Sequence, residues 1–522
     1  MRQALRSKQS QARAQIVGVQ SFQAPVAGWN ARDSLADMKP SYAVSLVNWW
    51  PLPTYLESRP GNESYGTGLT GAIETLAVYN ALDGGKEMFA FSDSGSWDVS
   101  SSGAGVATGA TVTEGRWQWV NFGDGTNNYL ILCNGTDKPL YYNGTTWLSV
   151  DSGSSPALTG VTSSELIYPE VYKGRLFFIQ KNSLSFWYLA AGAAGGALTE
   201  FDLSSYAKRG GYLMAVATWS FDGGNGPDDY IAFATSEGEI IVYSGTNPSS
   251  AADWVQKGVY YVGNPLGRRC FVKFGGDVLF ICEEGVVPLS VYLQSTTVDR
   301  KRPITDIITN AFNEAQRVYG SNFGWEGCFY QNQNALLFNI PIAENQQAEQ
   351  FCMQTITGPW TRFTAWNANT FCVYAGELYF GGDTAVFKAW TGPADNGSDI
   401  EVYGKTAFAY FGSRSQETQF KLFRPVIAAN GNLAFLTGLD IDFNDSPILG
   451  SATYSVTSGA VWDVSRWDES YWAANLQVQK VWTSPQQNMG YAAAGKIKFA
   501  TNALTVQWMS SDYVYERGGV LG

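Results

Sequence analysis

Residues 229–245 read DYIAFATSEGEIIVYSG. Alternation through IAFATSEGEIIVY fits a β-hairpin with one buried face. The glycine in its turn supplies the positive φ that such turns need. The same unit recurs in KEMFAFSDSGSWDV from Lys86, NNYLILCNGTDKPLYYNG from Asn127 and GRLFFIQKNSLSFWYL from Gly174. It returns in GDVLFICEEGVVPLSVYL from Gly276 and GELYFGGDTAVFKAW from Gly376, with a looser copy, NALLFNIPIAENQQAEQFCMQ, from Asn334. Successive hairpins lie roughly 40–60 residues apart, the length of a four-stranded propeller blade. Seven hairpins predict an all-β β-propeller of six or seven blades, depending on how the ring closes. The alternative is a set of unrelated hairpins in one large sandwich.

Composition agrees with an all-β fold. The chain has 522 residues, 45% apolar, 15% aromatic and only 15% charged, with 56 glycines. That is enough to bury a large core and too long for one small domain. Glycine-rich turns between aromatic strands are the texture of β proteins. No apolar run reaches the ~20 residues of a membrane span. The basic start, MRQALRSKQSQARAQ, has no apolar stretch after it and is not read as a signal peptide. A protein made and kept in the cytosol, or assembled there into something larger, is expected.

Two regions break the hairpin pattern. In RPITDIITNAFNEAQRVYG, Ile304, Ile307, Ile308, Ala311 and Phe312 share a helical face, with Pro303 at the first turn and Gly320 at the stop. This predicts a short helix inserted between two blades, plugging the ring or its edge. After about residue 398 long alternating runs predict a β-sandwich-like C-terminal domain. It contains VWDVSRWDESYW, whose tryptophans Trp462, Trp467 and Trp472 recur every five residues, a spacing that suits neither a helix face nor a strand. A loop packed by its own rings is expected there, with carbohydrate stacking as the other reading. The expected division is an N-terminal basic arm over 1–40, a lead-in segment over 41–75, the propeller over 76–397 and the sandwich over 398–522.

The lead-in holds LVNWWPLPTYLESRPG, Leu46 to Gly61. It reads as a strand, a Trp49/Trp50 anchor, a rigid Pro51–Pro53 turn and an Arg59-Pro60-Gly61 turn into the first blade. The arm carries Arg2, Arg6, Lys8, Arg13 and Arg32 before the first acid, Asp33. It is either a frayed terminus or a docking segment for a neighbouring subunit. Arg2, Arg6, Lys8, Arg13, Trp49 and Trp50 are the candidate partner contacts.

The chain has no histidine, which removes Ser-His-Asp and Cys-His catalysis and His-ligated metals. The cysteines show no CxxC spacing, and Cys133, Cys282 and Cys372 sit in strand-like runs as small buried hydrophobes. A glycosidase needs two carboxylates flanking the bond. Asp222, Asp228, Asp229, Glu283, Glu284 and Asp306 are candidates by number, and no spacing singles out a pair. FSDSGSW offers Asp93, Gly95 and Trp97 of a sialidase-type Asp box, but Phe91 stands where Ser belongs. The Asp/Asn/Gly clusters from Phe221 and from Asn121 lack EF-hand spacing and read as loops. Asn62, Asn134, Asn143 and Asn396 match the glycosylation pattern and read as turn residues. No catalytic residue, cofactor or metal is expected. Net charge is −12, which opposes wrapping of DNA by phosphate neutralisation.

Taken in order, several passages resemble one family, the nozzle or tail accessory proteins of short-tailed bacteriophages, including the packaged-DNA stabilisation proteins. The passages are Asn48, Pro51 and Arg59-Pro60-Gly61, then GRLFF at Gly174–Phe178, then LMAVATWSFDGGNGPDDYIAFATSEGEIIVYSGT from Leu213. VGNPLGRRCFVKFGGDVLFICEEGVVPLSVY from Val262, the helix from Ile304, and FKLFRPVIAANG…LDIDF complete them. The resemblance covers roughly Ala43 to Phe443. It implies a structural virion protein rather than an enzyme: a ring, typically a hexamer, below the portal and adaptor, extending the DNA exit channel and retaining the packaged genome. The implied partners are further copies of itself, portal and adaptor proteins, and tail fibres, spikes or a needle. Genomic DNA would slide through an acidic lumen without sequence-specific binding. The implied location is the virion tail, assembled in the host cytoplasm. A propeller that binds or degrades glycans is the alternative.

Overall fold

The computed structural model describes residues 17–222, 227–294, 303–412, 414–448, 454–456, 477–479, 481–484 and 489–518. The tryptophan-rich loop with Trp462, Trp467 and Trp472 lies outside these residues, as do the four basic candidates Arg2, Arg6, Lys8 and Arg13.

Seven small antiparallel sheets follow one another along the chain, at residues 75–107, 118–149, 166–202, 213–261, 271–288, 326–363 and 370–389. Each of the seven repeated hairpins supplies the second and third strands of one sheet; in six sheets these are the middle pair, and in the three-stranded sheet at 271–288 the third is the edge. The first strands touch in sequence: Thr75–Asn80, Gln118–Gly123, Leu166–Tyr172, Leu213–Asp222, Phe271–Phe274, Glu326–Tyr330 and Thr370–Tyr374, the last returning to the first. That closed circuit is a seven-bladed β-propeller. The ring closes with a strand from the other end of the chain. Asn62–Thr67 pairs antiparallel with Val386–Ala389 and becomes the fourth strand of blade 7.

Each pair of neighbouring blades shares an apolar cluster, so a blade is buried on both faces. This corrects the expected single buried face of the 229–245 hairpin. Ile231, Ala232, Phe233 and Ala234 are all fully buried. Ile231, Phe233, Ile241 and Tyr243 pack towards blade 3, while Ala232, Ala234, Ile240 and Val242 pack towards blade 5. Along Ile231–Ala234 the alternation is one of side-chain size, not polarity. Phe233 stacks on Phe186 of blade 3 at 4.5 Å between centroids. Burial of one such ring contributes about 1.5–3 kcal/mol.

Between blades 5 and 6 the helix begins at Thr309 and ends at Tyr319, after a 3-10 turn at Asp306–Ile308. Ile308, Phe312 and Ala315 enter the cluster shared by blades 5 and 6. A second short helix, Leu289–Gln294, precedes it.

The sandwich is built from both ends of the chain. Its first sheet combines Val17–Gln23, Trp49–Pro51 and Leu56–Ser58 with Thr418–Ala429 and Val506–Arg517. Its second sheet continues from blade 6: the outer strand Trp360–Phe363 is followed by Ala43–Val47, Ile400–Thr406 and Ala492–Thr501. Arg59 joins the two bodies. Its fork donates to both carboxylate oxygens of Asp395 at 2.8 and 2.6 Å, and to Asn48 Oδ1, Pro60 O and Thr364 O at 2.8, 3.0 and 2.7 Å. The guanidinium also lies 5.0 Å from the Trp366 ring centroid. Gly61 is required next to it, because a Cβ there would lie 1.7 Å from Ala394 O.

Candidate functional site at the mouth of the propeller

Connections leading into the first strands gather at one end of the ring. Glu74 precedes blade 1, Arg116 blade 2 and Arg269 blade 5. Phe323 lies between the helix and blade 6. Arg269 is the centre of this cluster. It donates to Glu326 Oε2 of blade 6 at 2.8 Å, to Glu74 O and Thr75 Oγ1 of blade 1 at 2.8 and 2.7 Å, and to Trp117 O at 3.2 Å. Blades 5 and 1 face each other across the ring, so one guanidinium bridges the mouth. Arg116 donates to Glu74 Oε1 at 3.0 Å and to Glu344 Oε2 at 3.3 Å. Phe323 lies under both cations, 4.2 Å from Arg116 and 5.1 Å from Arg269. Burial pulls the Arg116 guanidinium down, but the Glu74 and Glu344 carboxylates outweigh it and keep the group charged. Glu326 also accepts Phe371 N of blade 7. These ion pairs hold blades 1, 2, 5 and 6 to one another and bridge the tunnel at this end, and the Phe371 bond ties in blade 7.

Further along the tunnel Glu170 of blade 3 meets Thr218 Oγ1 of blade 4 at 3.3 Å and Lys273 Nζ of blade 5 at 3.8 Å. Burial pushes the Glu170 carboxyl above its usual value.

The carboxylates singled out in the sequence are not brought together. Asp222, Asp228 and Asp229 stand at the hairpin joining the first two strands of blade 4. Glu283 and Glu284 stand in the turn between the second and third strands of blade 5, which the alternating strand directions place at the opposite end of the ring. Asp306 is paired with Arg32. In the Asp-box-like stretch, Asp93 is in a tight turn while Phe91 and Trp97 are core residues. Asp124 of the loop from Asn121 accepts Thr126 N and Asn127 N, and these backbone bonds hold its carboxyl below the usual range. Asn134 and Asn143 likewise accept backbone N–H groups within their own turns. Cys133, Cys270, Cys282, Cys352 and Cys372 are buried, and burial pushes the Cys282 and Cys372 thiols up to about 12.

Trp49 and Trp50 require correction as partner contacts, because a buried ring has no surface to offer another chain. Trp49 packs between Phe499 and Trp508 of the sandwich, and Trp50 against Phe363 and Trp390. The sequence reading missed Arg116, Arg269 and Phe323. The one signal was GRR at 267–269, two adjacent cations directly before an apolar strand in a chain of low charge.

The chain is therefore an all-β protein, a seven-bladed propeller with its mouth bridged by ion pairs and a sandwich fused to blade 6. Neither a family model nor a curated protein matches it. Solved structures similar to it include YCF48 bound to D1 peptide (10% identity, TM-score 0.37, covering 64% of this chain and 98% of that one). BBS1N in complex with ARL6DN is similar at 9% identity and TM-score 0.38, over 65% of this chain and 99% of that one. The Swd1 β-propeller domain of Myceliophteria thermophila is similar at 8% identity and TM-score 0.36, over 63% and 99%. The seven-blade assignment stands on the strand pairing and contacts above.

Proposed function

We propose that the chain is a structural subunit of a symmetric ring, of the tail-nozzle type, rather than an enzyme. The observation that carries this reading is the strand Val17–Gln23. It is paired on one side only among the described residues, with Val514 and its neighbours. It holds no charge, no proline and no bulge, and Val17 and Val19 are more than half exposed. Monomeric proteins protect such edges, and an unprotected one is a template for another chain. The four cations Arg2, Arg6, Lys8 and Arg13 come immediately before it, in a chain of net charge −12. In this reading the basic segment docks on the acidic surface of the next copy, and copies repeat into a ring, six in the nozzle type. The bridged mouth argues that DNA would run through the lumen of the ring, not through a propeller. An acidic lumen would repel DNA and let it slide. Portal and adaptor proteins on one side and tail fibres, spikes or a needle on the other are the partners this role requires. The site of action would be the virion tail, assembled in host cytoplasm.

One observation favours the glycan-binding alternative. A cavity of about 630 Å³ at the junction of blades 6 and 7 is lined by the polar side chains of Asn345, Gln346, Asn367, Asp383 and Asn396, with Phe387 beside them. Amides beside an aromatic ring suit sugar hydroxyls and faces. Electron microscopy of the purified protein and of intact particles separates the readings. Closed rings with a place below the portal are expected. A monomer that binds polysaccharide and has no place in a particle would overturn the ring.

A further inference from the structure

Beside the bridged mouth is a cavity of about 320 Å³, lined among others by Glu114, Arg116, Gln118, Met214, Arg268 and Glu344. Two of these side chains keep hydrogen-bonding capacity that the fold does not use. Gln118 is only 6% exposed, and its amide has no hydrogen-bond partner among the described residues. Its amide oxygen and nitrogen are not fully buried, so they face the solvent of the cavity and stay available to a ligand. Arg268 makes one hydrogen bond, Nη1 to Asn134 O at 3.0 Å, and no ion pair among the described residues. Its neighbours differ: Arg116 is paired with Glu74 and Glu344, and Arg269 with Glu326. The two acids of the lining are also engaged. Glu344 accepts Arg116 and Phe323 N, and Glu114 accepts Thr136 Oγ1 at 2.6 Å.

We propose that this cavity binds an oxyanion, the carboxylate or phosphate of a small molecule, through the Arg268 guanidinium and the Gln118 amide. A guanidinium fork matches two oxygens of such a group, and an amide N–H supplies a further donor. Met214 offers an apolar wall to the rest of the molecule. A volume at the low end of the ligand-pocket range suits a small molecule and excludes a polymer. Burial pulls the Arg268 guanidinium down from its usual value, and the nearby Glu114 carboxylate offsets only part of this. The proposal is independent of the ring reading.

The test is calorimetric titration of the full chain with inorganic phosphate and, separately, with citrate, alongside melting curves. One saturable site per chain is expected for at least one anion. Binding of phosphate alone assigns a phosphate ligand, and binding of citrate alone assigns a carboxylate. Arg268→Lys, which keeps charge and loses the fork, and Gln118→Leu should each weaken binding about tenfold or more. Saturation by neither anion, or unchanged affinity in both variants, overturns the proposal. So does a Gln118→Leu chain that melts lower and binds as before, since the amide would then be structural.

Discussion

Arg59→Met tests how the two ends of the chain are held. Arg59 is fully buried and Asp395 is 8% exposed, so the pair sits away from solvent screening. Methionine fills much of the volume but removes every donor. Asp395 would keep only Asn62 Nδ2 at 2.8 Å and Trp366 Nε1 at 3.2 Å, both on Oδ1, leaving Oδ2 with no partner among the described residues. Thr364 O and Pro60 O would each lose a donor. Removing one partner of a buried ion pair costs about 3–5 kcal/mol, and the loss here belongs in that range because the remaining charge is desolvated. Asp395→Asn placed on top removes the stranded charge and should recover about 2 kcal/mol, with the rest of the loss remaining in the two carbonyls. Arg59→Lys keeps the charge without the fork and should fall between wild type and Arg59→Met. Urea unfolding followed by tryptophan fluorescence provides the comparison, since urea does not screen charge and Trp366 touches Asp395. An Arg59→Met chain within about 0.5 kcal/mol of wild type, or a double variant no better than the single, would refute this account.

Two further outcomes follow from other parts of the molecule. The folded state raises the Glu170 carboxyl above the ordinary value of 4.5, so its protonated form is favoured by folding. Its contribution is therefore fully present below that ordinary value and is lost as pH rises through the folded one. Glu170→Gln should raise the melting temperature at pH 8 and leave it unchanged near pH 4, and an equal shift at both would contradict this. Deleting residues 1–16 removes Arg2, Arg6, Lys8 and Arg13 but keeps the strand Val17–Gln23. Stability should stay within about 0.5 kcal/mol of the intact chain, while ring assembly weakens; assembly that is unchanged by sedimentation would reject the docking role.

The propeller was legible because its signal is local. Each hairpin carries its own turn glycine and apolar runs, so all seven could be found one at a time. Closure was not legible. The strand that completes blade 7 is Asn62–Thr67, and no periodicity links it to Val386–Ala389, which left six and seven blades open. The period-2 pattern of residues 231–234 was read as polarity, although Ala232 and Ala234 are as buried as Ile231 and Phe233. Apolar residues buried on both faces mark a sheet wedged between two neighbours. The helical face at Ile304–Phe312 was found, but the helix starts five residues later, because its first turn is a 3-10 turn. The mouth cluster was hidden for a different reason. Glu74, Arg116, Arg269 and Glu344 come from four separate connections, and only the closed ring makes them neighbours. Trp49 and Trp50 looked available because sequence shows aromatic weight but not which chain covers it.

The closure also carries an energetic argument. Arg59 and Asp395 are 336 residues apart. Joining ends over that length costs about 3 kcal/mol more in chain entropy than closing a loop of about 12 residues. The ion pair cannot be what offsets this, because the net contribution of a buried pair is far smaller than the cost of breaking it. The offset must come from apolar burial on the two faces of blade 7: Trp50, Phe363, Trp366 and Phe380 on one side, Leu76, Met88, Tyr379 and Val386 on the other. Apolar burial is non-directional and would tolerate a closing strand shifted along its partner. A shift of one residue would turn every side chain of Asn62–Thr67 to the opposite face and carry the buried guanidinium away from its carboxylate. Arg59 then acts on register more than on stability. It admits one alignment of the closing strand, and with it one position of the sandwich, whose strands lie on both sides of Arg59 in the sequence.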